Sequence, residues 1–148
     1  MVKHHHRTEQ RLVQEFVKHL QSARSPWGRV EVSREFCYQR GRVDVVALAG
    51  RGSCLIAFEA KLKEWRYALH QAYRNRCLAH MSYVVLPKTT AIVAQRYETE
   101  FKLRNVGLCC CEAGSIDLIF SPKSEPPLEP WLLQEATAAT RRQSGAPK

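Results

Sequence analysis

Between residues 8 and 22, "TEQRLVQEFVKHLQS" sets Leu12, Val13, Phe16, Val17 and Leu20 on one stripe at helical spacing, with Thr8 placed to cap the helix. "SPWG" at 25–28 ends that helix in a turn. The period then shortens to two. "RVEVSREFCYQ" (29–39) alternates as a strand, with Val30, Val32 and Phe36 as its apolar members. Residues 42–62, "RVDVVALAGRGSCLIAFEAKL", form two apolar runs joined by "GRGS" at 50–53, which reads as a buried hairpin. A basic, aromatic helix over 64–80 follows, in which Trp65, Leu69 and Tyr73 share a face and read as core. Next come a short strand at 82–87 closed by Pro87, a helix over 89–105, and two strands, "VGLCCC" and "SIDLIF", around "EAGS". After Phe120, "SPKSEPPLEP" reads as an extended linker and "WLLQEATAATRR" (131–142) as a short appended helix.

This order, α-β-β-β-α-β-α-β-β, predicts an α/β fold with a mixed central β-sheet flanked by helices. The chain of 148 residues suffices for one domain with a real core. The expected division is a flexible basic N-terminus (1–7), a domain over 8–120, and a proline-rich linker and tail (121–148) separable from the core.

The apolar hairpin carries Asp44, Glu59 and Lys61, although the whole chain has only two aspartates. A four-residue loop pairs Ala49 with Cys54, and counting back along both strands sets Asp44 opposite Glu59. Directly opposed residues share a face, with Cβ atoms about 4.5–5.5 Å apart. Residues 59 and 61 also share a face, because the strand period is two. One register therefore gathers all three groups, and a slip of one residue scatters them. Two carboxylates this close repel each other and require a compensating cation. Lys61 alone would make a buried ionic cluster. Magnesium fits better, since it takes one or two carboxylates with waters and phosphate oxygens and leaves Lys61 for a further anion.

Composition narrows the partners. Lysine and arginine total 23 against 14 acidic residues, a formal charge of +9, which favours nucleic acid or an acidic membrane surface. No apolar run approaches 18 residues, so no membrane-spanning helix is expected, and "MVKHHHRTEQ" lacks the apolar stretch of a secretory signal. Cytoplasmic residence follows. The six cysteines then read as reduced thiols, none at C-x2-C zinc spacing. Cys110 faces away from Cys109 and Cys111, and an iron–sulfur site there would need a fourth cysteine nearby. His4, His5 and His6 read as part of a basic arm rather than a metal site.

"VDVVALAGRGSCLIAFEAKL" resembles the core of the PD-(D/E)XK nuclease superfamily, which includes restriction endonucleases and Holliday-junction resolvases. Asp44 matches the first aspartate and Glu59-Ala60-Lys61 the (D/E)-x-K element, while Val43 stands where the family has a proline. "Glu100-Phe101-Lys102" has the same spacing but lies in a helical pattern, where residues two apart diverge, and reads as a solvated face. Asp117 lacks a charged partner nearby and reads as an edge or surface position.

The resemblance implies that Asp44, Glu59 and the carbonyl of Ala60 hold Mg²⁺ or Mn²⁺. Lys61 would orient the attacking water and offset charge on the scissile phosphate. It implies hydrolysis of phosphodiester bonds in DNA, in repair, recombination or restriction. Members also carry a glutamate on the first helix. On the helical wheel Glu9 falls near the centre of the apolar stripe and Glu15 roughly 130° away, which selects Glu9. Gln71, Arg74 and Arg76 match the polar and basic positions that members place on the following helix, toward DNA. A homodimer is one arrangement such enzymes use, although the sequence marks no interface. The alternative is an inactive nuclease-like domain that binds nucleic acid or a protein.

Overall fold

A computed structural model describes residues 8–39 and 41–144; the basic arm with His4–His6 lies outside that range. Helix α1 (Glu9–Leu20) begins where Thr8 accepts a hydrogen bond from the Arg11 N–H at 3.1 Å. Its residues Leu12, Phe16 and Leu20 are fully buried, and Val13 and Val17 pack partly against the same core. Strand β2 (Gly41–Ala49) runs antiparallel to both β1 (Glu31–Tyr38) and β3 (Cys54–Ala60). Helix α2 (Trp65–Arg74) leads to β4 (Met81–Leu86), parallel to β3. Helices α3 (Lys88–Ala94) and α4 (Glu98–Arg104) lead to β5 (Gly107–Glu112), parallel to β4, and β6 (Ser115–Phe120) returns antiparallel. The six strands lie in sequence order. The fold is α/β, a mixed sheet flanked by helices.

Strand alternation sorts the core. Ile56, Phe58, Ala60, Tyr83, Val85, Cys109 and Cys111 pack with α1 on one face. On the other, Val84, Leu86, Leu108 and Cys110 pack with α2, α3 and α4. Val46, Leu48, Leu55 and Ala57 pack there with α5 (Pro130–Gln143). The cysteine triplet is thus split between two cores, and burial pushes the thiols up: Cys110 to about 11, Cys111 to about 12, and Cys109 well above its ordinary range. These are packing residues. Asp117 is exposed on edge strand β6, as expected. No helix among the described residues is long and apolar enough to cross a membrane.

Three expectations need correction. The helix over 89–105 is broken by a tight turn at Gln95–Tyr97, where the rings of Tyr97 and Phe101 both lie against Trp65, at 5.0 and 5.8 Å between centroids. Tyr73 is 49% exposed rather than core. Eight residues carry it about 80° around the helix from Trp65, off the stripe that includes Ala68, Leu69 and Ala72. Finally, residues 121–144 are not a separable tail. Lys123 exchanges two hydrogen bonds with the Asn105 side chain, at 2.9 and 3.0 Å. The backbone N–H groups of Glu125 and Glu129 donate to the carbonyls of His80 and Cys77. Helix α5 then buries Leu132, Ala136 and Thr140, and Thr140 meets Ser33 of β1 at 3.0 Å. That stripe has one large apolar residue, one small and one polar, too weak a pattern to announce docking.

Candidate functional site

The hairpin register is the expected one: Ala49 pairs with Cys54, and the ladder runs to Val45 and Phe58. Its turn, Gly50–Gly52, places Arg51 at a φ of 59°. One step past the ladder's end come Asp44 and Glu59. There Asp44 Oδ2 accepts the Ala60 N–H at 2.9 Å, so a carboxylate takes the place of the strand's next carbonyl partner. Glu59 is 1% exposed. Its Oε2 accepts a hydrogen bond from Asn75 Nδ2 at 2.8 Å, and Asn75 Oδ1 accepts one from the Tyr38 hydroxyl at 3.0 Å. Burial pushes the Glu59 carboxyl up to about 8; the Asp44 charge acts in the same direction, and the Asn75 bond opposes both. Burial likewise pushes Tyr38 up to about 12.

Lys61 lies one residue beyond β3, and its backbone N–H donates to the Val85 carbonyl at 3.2 Å. Its ammonium makes an ion pair with Glu9 Oε1 at 3.6 Å and sits 4.9 Å from the centre of the Tyr67 ring. The cation expected beside the carboxylate pair is therefore paired with the first turn of α1 instead. Glu15 bonds His19 Nε2 at 2.7 Å, so of the two helix glutamates it is Glu9 that meets Lys61. A cleft of about 350 Å³ opens beside them, lined by Glu9, Gln10 and Val13 of α1, Asp44 and Ala60 of the hairpin, and Arg34, Glu35 and Arg42.

The α2 candidates divide. Gln71 and Arg74 are half-buried, and among the described residues Gln71 Oε1 and Arg74 Nε have no hydrogen-bond partner. The Arg74 guanidinium lies over Gly41, where an added Cβ would sit 2.9 Å from Nη2, so α2 ends against the start of β2. Arg76 belongs to the fold instead: it donates to the Arg104 carbonyl at 2.9 Å and to Glu125 Oε1 at 2.7 Å.

Sequence reasoning missed two residues here. Glu35 stands where the β1–β2 register sets it opposite Asp44, yet a φ of 59° takes it out of the ladder and into the cleft wall. Extending the register count from β2 to β1 finds it. Asn75 carries no such signal, since a polar residue just past a helix end is ordinary.

The donor set is hard oxygen: the carboxylates of Asp44 and Glu59 with the Ala60 carbonyl, a set that suits Mg²⁺ or Mn²⁺. Among the described residues no three His, Cys, Asp or Glu side chains gather in a group that could hold a metal ion.

No family model matches the chain, and no curated protein matches it. Among solved structures, a Silicibacter pomeroyi protein of unknown function is similar, with a TM-score of 0.63 over 93% of this chain and 89% of that one, at 19% identity. At that identity the likeness is one of fold alone.

Proposed function

We propose that the chain is a cytoplasmic, metal-dependent nuclease that hydrolyses phosphodiester bonds in DNA. The observation that carries this reading is the pairing of buried Glu59 with half-buried Asp44, in which burial and then the Asp44 charge hold the Glu59 carboxyl up at about 8 while Lys61 is paired with Glu9. Such a pair is well matched to a divalent cation. Asp44, Glu59 and the Ala60 carbonyl would hold Mg²⁺ or Mn²⁺, which when bound supplies an acidified water and a polarised phosphate. The chain's own residues do the rest. Asn75 fixes the orientation of Glu59 through its 2.8 Å bond. Glu9 holds Lys61 at the cleft, where its ammonium orients the attacking water and offsets charge on the phosphate. Arg34 and Arg42 at the cleft wall meet backbone phosphates.

The test is incubation with branched, duplex and single-stranded DNA, with Mg²⁺ or with a chelator. Cleavage should require the metal, vanish in Asp44→Asn and Glu59→Gln, and become very slow in Lys61→Ala while binding persists. Wild-type rates in all three variants would overturn the reading. A second reading, a nuclease-like domain that only binds, draws on the Lys61–Glu9 pairing, which already occupies the ammonium. It predicts salt-dependent DNA binding and no cleavage with any divalent metal.

A further inference from the structure

Helix α2 presents an outward face of aromatic and basic residues and no acidic side chain over Trp65–Arg74. Tyr67 is 54% exposed and Tyr73 49%, large rings that the fold leaves in water. At 100° per residue they stand about 120° apart, with His70 and Arg74 on the arc between them. Each ring already has a cation at its side: the Lys61 ammonium at 4.9 Å from Tyr67, and the Arg76 guanidinium at 5.6 Å from Tyr73. At one end Lys61 reaches Glu9 of the cleft wall, and at the other Arg74 lies over Gly41 at the start of β2. Exposed tyrosines interleaved with cations match a partner that offers π faces and phosphates together. A single strand does so; a duplex hides its base faces in the stack.

We propose that this face binds single-stranded nucleic acid, with unpaired bases stacked on Tyr67 and Tyr73 and the phosphates against Lys61, His70 and Arg74. It rests on the nuclease reading only in making that strand the substrate of the adjacent site.

Fluorescence anisotropy on the full chain in a chelator separates the two ideas, because no cleavage is needed. Labelled oligothymidine, oligouridine and duplex DNA are titrated, with polyphosphate as a competitor that has charge but no bases. Either single strand should bind more tightly than duplex. Tyr67→Ala and Tyr73→Ala should each weaken single-strand binding about tenfold, with duplex and polyphosphate affinity unchanged. Tyr67→Phe and Tyr73→Phe should restore it, since the ring and not the hydroxyl carries the contact. Both tyrosines are exposed, and unchanged thermal melts will show the variants folded. Wild-type affinity in the double alanine variant, equal losses for single strand and polyphosphate, or no rescue by phenylalanine would overturn the proposal. Cleavage without tyrosine dependence would sink this inference and leave the nuclease reading standing; tyrosine-dependent binding without cleavage would do the reverse.

Discussion

Replacing Glu59 with glutamine isolates the electrostatics of the carboxylate pair. Glutamine has the same shape, its carbonyl can accept the Asn75 bond, and its amide can donate toward Asp44 as a protonated Glu59 does. The wild-type carboxyl rises from an ordinary 4.5 to about 8 on folding. Between those values the folded state holds a proton that the unfolded state has released. Its contribution is therefore intact below pH 4.5, is lost as pH rises through about 8, and levels off above that. In metal-free protein the loss is at most about 3 kcal/mol at pH 7 and about 4 kcal/mol at pH 8, approaching about 5 kcal/mol above that. For a chain of 148 residues the pH 7 figure corresponds to roughly 6–12 °C in melting temperature.

Unfolding by urea, followed by circular dichroism from pH 5 to 9 in a chelator, reads the difference directly. Subtracting wild type from Glu59→Gln cancels the titrating groups that do not interact with Glu59. The variant should be nearly equal at pH 5 and increasingly more stable toward pH 8, with a plateau beyond. Millimolar Mg²⁺ or Mn²⁺ at pH 8 should raise the wild type and not the variant, by the mass action of an ion that binds only the folded pair. Parallel curves across the pH range would show that the pair is not under repulsion. A pH-dependent gap that metal fails to close would keep the electrostatics and refute the metal.

Ala136→Asp sets a charge at a wholly buried position of α5, and thermal melting should show a loss of about 3 kcal/mol or more, whereas an unchanged melt would mean that α5 does not dock. Glu9→Gln should lower cleavage about tenfold through the loss of its hold on Lys61, with Glu15→Gln near wild type; the reverse ranking in a cleavage assay would refute the placement of Glu9. Asn75→Ala strips buried partners from both Glu59 and Tyr38, so urea unfolding should report a loss of about 1–3 kcal/mol, and a neutral result would show that water replaces the amide.

What the sequence makes legible here is what repeats at a fixed period. Asp44 and Glu59 stand out because apolar neighbours on both sides turn a carboxylate into an anomaly, and a four-residue loop is enough to count them into register. The count fails where the period stops. Lys61 lies beyond the last residue of β3, so alternation no longer aims its side chain, and its partner is decided by how α1 approaches the sheet. Tyr73 fails in a related way, since a stripe that holds for Trp65, Ala68, Leu69 and Ala72 has drifted off by the eighth residue. Asn75 and α5 lie beyond any period, because a lone buried amide and a stripe of Leu132, Ala136 and Thr140 acquire meaning only from the element that covers them. Glu9 is the instructive case. The wheel turns it toward the sheet, and a carboxylate turned toward a sheet needs a cation; Lys61, at 3.6 Å, is that cation. A charge on the sheet-facing side of a periodic element therefore predicts that a partner exists, even where, as for Glu9, the side chain stays exposed, while the identity of the partner is a property of the fold.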